Sequence, residues 1–278
     1  MKKSKLGYII FFTLLILSSC SKERSDTEFI STENKINNEN ESKIESKIDE
    51  KGKNKSNNDV VRSEIIEGGF NSLVDNQYHK YVLYVPDSYY TSQSTPLIIY
   101  LHGASSTAKD DLKVKGPFRA INKGIELDFV VASPHSRGWN PKVVDEFLEN
   151  IVLKHFENID SKRVYVTGHS MGGFGTLDFA VEYPEKVAAI IPIAGANLES
   201  GRKCNLRDIP AWFFHSRDDK AVPFSFSENA VNLINTCCPS IPPKFTIFET
   251  KGHGISWFIY NKSVEEIDIY SWMLQYSK

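Results

Sequence analysis

Short apolar runs rich in β-branched and aromatic residues recur along the chain, at residues 96–101 (Pro-Leu-Ile-Ile-Tyr-Leu), 129–132, 163–167, 210–215 and 244–248. Runs this short and this continuously apolar predict strands buried on both faces. Between them, residues 143–156 and 174–181 carry helix-compatible spacing, and a final helix is expected after residue 254. Two further stretches, 61–67 and 78–85, precede the first motif strand and predict an antiparallel start to the sheet. Strands alternating with helices predict an α/β domain, a mostly parallel central sheet with helices on both faces.

The pattern changes abruptly before residue 60. Residues 1–5 are basic and residues 6–17 apolar, a core too short to remain as a spanning helix. Leu17-Ser18-Ser19-Cys20 resembles the lipobox of bacterial lipoproteins. Residues 1–19 are therefore expected to be a cleaved leader, with Cys20 accepting lipid. Removing Lys2, Lys3 and Lys5 moves the formal charge from -2 to about -5. Residues 20–59 are dominated by Lys, Glu, Asn, Ser and Asp, too polar to bury a core, and are expected to form a disordered tether. Residues 60–278 remain as one folded domain, of ordinary single-domain size. The location expected is the cell envelope, lipid-anchored, and on the outer membrane in a two-membrane bacterium because Ser21 rather than Asp follows the cysteine. In that oxidising compartment Cys204 could bridge to Cys237 or Cys238, leaving one odd thiol.

The chemistry concentrates at Gly168-His169-Ser170-Met171-Gly172-Gly173. This fits G-x-S-x-G, a serine held on a sharp turn from strand to helix. A serine hydroxyl needs a base to take its proton, and the base needs a carboxylate to fix its tautomer. In the order serine, acid, histidine, only His215 and His253 follow Ser170. His215 ends an apolar run and suits a structural role, whereas His253 lies in Gly252-His253-Gly254, a loop able to present an imidazole. His253 is thus the expected base. Asp218 and Asp219 both qualify as the acid, with Glu249 a weaker substitute. The backbone N–H of Met171 is expected to hold an oxyanion, with a second donor, the N–H of Ala104, in the loop after residue 101. His102 and His169 are expected to be structural.

Together with Leu101-His102-Gly103, residues 160–175, Tyr183-Pro184-Glu185-Lys186, Ile209-Pro210, Val222-Pro223 and Gly252-His253, these residues resemble the α/β-hydrolase superfamily. More narrowly, they resemble bacterial carboxylesterases of the dienelactone-hydrolase-like kind, near the feruloyl and polyhydroxybutyrate esterases. The resemblance spans roughly residues 60 to 278. It implies a mostly parallel sheet without a large lid, a cofactor-free triad and ester hydrolysis through an acyl-enzyme. It also places the acid three residues before the valine of Val222-Pro223, which selects Asp219. Relatives often carry further glycines after the His-Gly pair, whereas this chain has Ala104-Ser105-Ser106-Thr107.

Trp139 and Trp257 are expected to line the substrate pocket, one from the loop after residues 129–132 and one from beyond the histidine loop. No phosphate loop or metal-ligand spacing is seen, so no cofactor and no metal are expected. The slight negative charge and the absence of a basic patch give nucleic acid no support. The expected substrate is a small or polysaccharide ester. A serine peptidase and a non-catalytic surface-binding protein are the rival readings.

Overall fold

The computed structural model describes residues 62–104, 112–262, 264 and 266–278. The expected leader, the lipidation residue Cys20 and the polar tether lie outside the described residues.

Eight strands form one sheet: β1 (Glu64–Asn71), β2 (Tyr78–Val85), β3 (Thr95–Leu101), β4 (Val130–Pro134), β5 (Ile159–His169), β6 (Ala189–Ile193), β7 (Trp212–Ser216) and β8 (Lys244–Phe248). Their order is β1-β2-β4-β3-β5-β6-β7-β8. β1 and β2 pair antiparallel, as do β2 and β4, and every other neighbour is parallel. The expected architecture is the one observed.

Boundaries shift where tertiary contacts intervene. β1 runs four residues beyond the expected end, through Gly68-Gly69. The rings of Tyr81 and Tyr78 lie over these two glycines, where a side chain would collide with them. An aromatic covering a strand glycine restores the burial that the missing side chain forfeits. The single helix expected over residues 143–156 is α2 (Pro141–Phe147) followed by a wide π turn over Leu148–Leu153. Asn140 starts it by accepting the N–H of Lys142, and Pro141 occupies the first helical position.

Period-two alternation divides the core into two layers. Leu97, Ile99 and Leu101 of β3 point to one face, with Val164 and Val166 of β5. There they meet α2, α3 (Met171–Glu182) and α4 (Phe224–Asn235). Ile98, Tyr100 and Tyr165 point to the other face. That face is covered by α1 (Pro117–Ile121), α5 (Ser256–Tyr260) and α6 (Ile269–Met273). With both faces dry, β3, β4 and β7 can be apolar throughout, which is why they read as unbroken runs, while β8 at the sheet edge stays partly exposed.

One covalent link braces this frame. Cys204, in the short turn Lys203–Leu206, is bonded to Cys237 just beyond α4, and Cys238 is an exposed free thiol. The bridge closes a separation of 33 residues that includes β7 and the whole of α4. By loop-closure entropy, Cys204→Ser should cost roughly 3–4 kcal/mol. We expect a matching drop in the urea unfolding midpoint, with iodoacetamide labelling Cys238 but neither Cys204 nor Cys237 in the folded wild type. An unchanged midpoint would show that the bridge adds nothing to stability.

Candidate active site

β3, β5, β7 and β8 are parallel, so their carboxyl ends emerge on one rim of the sheet. In open α/β sheets that rim is where ligands bind. The four following loops bring His102-Gly103-Ala104, Ser170, Asp219 and His253 to that rim.

Ser170 sits between β5 and α3 with φ 58° and ψ -119°. A non-glycine residue in this region costs of order 1–3 kcal/mol and persists only when its surroundings enforce it. Here its N–H donates to the carbonyl of Ile193 at 2.9 Å, and its own carbonyl accepts the N–H of Gly173 (2.8 Å) and Phe174 (3.2 Å). The outer glycines of the motif close the turn. A Cβ on Gly168 would run into the carbonyl of Gly172, and one on Gly172 into the carbonyl of Leu101. The strand, turn and helix therefore come as near as backbone allows, and the serine side chain is forced outward.

The Oγ of Ser170 lies 2.8 Å from Nε2 of His253, whose Nδ1 lies 2.7 Å from Oδ2 of Asp219. The other oxygen of Asp219 accepts the N–H groups of Ala221 (2.8 Å) and Val222 (3.0 Å). A carboxylate at Nδ1 holds the proton there and leaves Nε2 as the acceptor facing the serine hydroxyl. The Asp219 side chain is fully buried, whereas the His253 side chain stays 29% exposed, so the relay is anchored at one end and open at the other. Burial pushes the Asp219 carboxyl up. The Val222 N–H, then His253 and the Ala221 N–H, outweigh burial and bring it below its ordinary value.

Three neighbours have roles that the sequence pattern did not disclose. His169, expected simply to pack under the elbow, reaches across to His253. Its Nε2 lies 2.7 Å from the His253 carbonyl, and the two rings are 4.7 Å apart. Asp218, the other candidate acid, is exposed in its turn and does not meet His253; it accepts the Ser216 hydroxyl (2.6 Å) and the Gly252 N–H (2.7 Å), and so ties the histidine loop to the end of β7. His215 is structural as expected, bonded to Ser227 and to the carbonyl of Val222, and it also lies 3.3 Å from the Asp219 carboxylate. Such contacts join side chains far apart in sequence, and no local pattern announces them. Glu249, the substitute acid, instead pairs with Arg217 in solvent.

Met171 is the first residue of α3, where N–H groups lack intrahelical acceptors and the helix dipole is positive. Ala104 is exposed, next to Gly103, where a Cβ would lie 3.4 Å from the Cβ of Ser170. Trp139 donates its indole N–H to the carbonyl of His102 (3.0 Å) and packs on Gly175 of α3. Trp257 is exposed on α5, with the Lys123 ammonium 4.7 Å above its ring. Among the described residues, no group of three or more His, Cys, Asp or Glu is arranged to hold a metal ion.

The fold is that of the α/β-hydrolases. Residues 140–267 match the family model described as Phospholipase/Carboxylesterase, a stretch containing Ser170, Asp219 and His253 but not the loop after β3. The chain is 31% identical over 86 residues to a bifunctional acetylxylan esterase/xylanase of Neocallimastix patriciarum, covering 31% of this chain and 12% of that protein. It is 32% identical over 88 residues to acyl-protein thioesterase 1 homolog 2 of Dictyostelium discoideum, covering 30% of this chain and 40% of that one. The matches thus span less than half the length of these curated relatives. Among solved structures, a thermostable esterase superposes with a TM-score of 0.63 at 23% identity, covering 77% of this chain and 63% of that one.

A pH prediction arises from His169. Burial pushes its pKa down to about 4 from the ordinary 6.5, so the folded protein holds this ring neutral. Between those values the unfolded chain binds a proton that the folded one does not, so stability falls as pH drops from 6.5 toward 4. His169→Gln, measured by urea unfolding across this interval, should show a shallower decline than the wild type. Parallel curves would exclude the assignment.

Proposed function

We propose that this protein is a serine ester hydrolase working through an acyl-enzyme, with Ser170 as nucleophile, His253 as general base and acid, and Asp219 as the group that orients it. The observation that carries the reading is the unbroken hydrogen-bonded line from a strained, outward-facing serine through an open imidazole to a buried carboxylate. The match to the Phospholipase/Carboxylesterase model supports it.

In the reaction, Ser170 Oγ bonds to the ester carbonyl carbon while its proton passes to Nε2 of His253. The carbonyl oxygen becomes an oxyanion, met by the N–H groups of Met171 and Ala104. Collapse breaks the bond to the alcohol oxygen, which leaves with the proton from Nε2. Water then repeats the sequence on the acyl-serine, releasing the acid and restoring Ser170.

The substrate class we assign is a carboxylic ester outside the cytoplasm, either a small diffusible ester or an acyl group on a polysaccharide. The similarity to a protein named as an acetylxylan esterase supports the latter. Lipidation at Cys20 would hold the enzyme on the envelope through the polar segment that follows it. The bridge between Cys204 and Cys237 accords with an oxidising compartment.

Folded wild type should be labelled by a fluorophosphonate and should hydrolyse p-nitrophenyl acetate and acetylated xylo-oligosaccharides. Ser170→Ala should abolish labelling and turnover. Asp219→Asn, which removes the tautomer lock, should lower kcat by about 10⁴-fold. A folded wild type that takes no label and cleaves no ester would defeat the proposal, and cleavage of peptides in preference to esters would replace it with a peptidase.

A further inference from the structure

Two successive peptide planes in the loop after β3 are held by groups that take no part in the relay. His102 is fully buried. Its Nδ1 lies 2.8 Å from the Gly103 carbonyl, and its Nε2 accepts the N–H of Ser136 at 3.0 Å. The second bond decides the tautomer of the first. A ring nitrogen that accepts from a backbone amide carries no proton, so the neutral ring bears its hydrogen on Nδ1 and donates it to Gly103. One peptide earlier, the indole N–H of Trp139 donates to the carbonyl of His102. The Trp139 ring is itself wedged, edge-on to the His102 ring at 4.9 Å and against Gly175, where a Cβ would come within 2.6 Å of it.

The peptide between Gly103 and Ala104 is trans, as are all those described. Its C=O and N–H therefore point to opposite sides. The carbonyl faces the buried ring, so the N–H of Ala104 faces the other way, where Ala104 is exposed. Gly103 lies against Ser170 at this place.

We infer that His102 and Trp139 are positioning residues that lock the Gly103–Ala104 peptide, so that the Ala104 N–H faces the Ser170 oxygen before substrate arrives. Flipping this peptide would break the bond to His102 inside the core and aim the Gly103 carbonyl at the developing oxyanion, the wrong sign of dipole for stabilising it. After the His-Gly pair this chain runs Ala104-Ser105-Ser106-Thr107, with no further glycine beside Gly103 to shape the turn. The two side chains supply instead the orientation of a backbone donor. The inference rests on the ester-hydrolase reading of Ser170.

The test compares His102→Leu, His102→Asn and Trp139→Phe with wild type on p-nitrophenyl acetate, each variant first checked for a cooperative thermal transition. Loss of one aligned donor predicts that His102→Leu lowers kcat by about 10²-fold with KM changed less than about threefold. Affinity for a trifluoromethyl ketone, whose serine adduct carries the oxyanion, should fall by the same factor. His102→Asn, whose amide nitrogen can stand near the former Nδ1, should recover most of that loss, a rescue that mere packing would not produce. Trp139→Phe keeps the ring but loses the donor and should lower kcat less; it also serves if His102→Leu does not fold. Equal losses in the Leu and Asn variants, or a loss confined to KM, would overturn the lock. Should folded wild type neither label nor turn over, the hydrolase reading fails on its own. The ¹⁵N shifts of the His102 ring then still decide the tautomer: protonated Nδ1 is expected, and protonated Nε2 would refute the lock.

Discussion

A serine in a left-handed backbone conformation does not hold itself there. The turn between β5 and α3 keeps Ser170 at φ 58° because its neighbours leave no alternative: Ile193 takes its N–H, the start of α3 takes its carbonyl, and glycines let three stretches of backbone touch. Strain of about 1–3 kcal/mol is matched by three main-chain hydrogen bonds worth about 1 kcal/mol each. The rest of the rim takes its geometry from this turn. The Oγ direction defines where His253 must stand, where Gly103 must pass and where a carbonyl carbon could be attacked.

The other side of the site is built from loops, and loops need fastening. The histidine loop is tied at three points: Ser216 holds the N–H of Lys251, Asp218 holds that of Gly252, and His169 holds the carbonyl of His253. Asp219 is fastened by the amides of its own turn, with His215 alongside. The elbow itself supplies one of these ties, since His169 immediately precedes Ser170. Ser170 and His253 are therefore registered against each other through a single backbone segment. On the opposite flank, the loop after β3 is fastened by His102 and Trp139. The disulfide stands behind α4, the helix that follows the acid turn, so it steadies the frame and not the chemistry.

Much of this was legible in the sequence, for identifiable reasons. Strands β3, β5 and β7 were readable because both faces of a parallel sheet are dry along their apolar runs, whereas β8, at the sheet edge, keeps part of its surface exposed. The elbow was readable because its glycines are close-contact requirements within six residues. His253 followed by elimination, and the preference for Asp219 over Asp218 needed the resemblance to a known family. Where the reading stopped short, the missing information was non-local. β1 continued through two glycines because Tyr81 and Tyr78 cover them. Asp218 and His169 gained partners 34 and 84 positions away.

By itself, then, the sequence determined the alternation of strand and helix, the reactive turn and the residue types available to serve it. These are properties of neighbouring residues, encoded in periodicity and in the steric needs of glycine. Tertiary structure alone decided which carboxylate meets the imidazole, which cysteine pairs with Cys204, and which way the peptide after Gly103 faces. Each of those depends on bringing distant segments within about 3 Å, the reach of a hydrogen bond, or within bonding distance of two sulfurs. Only the packed sheet sets those separations.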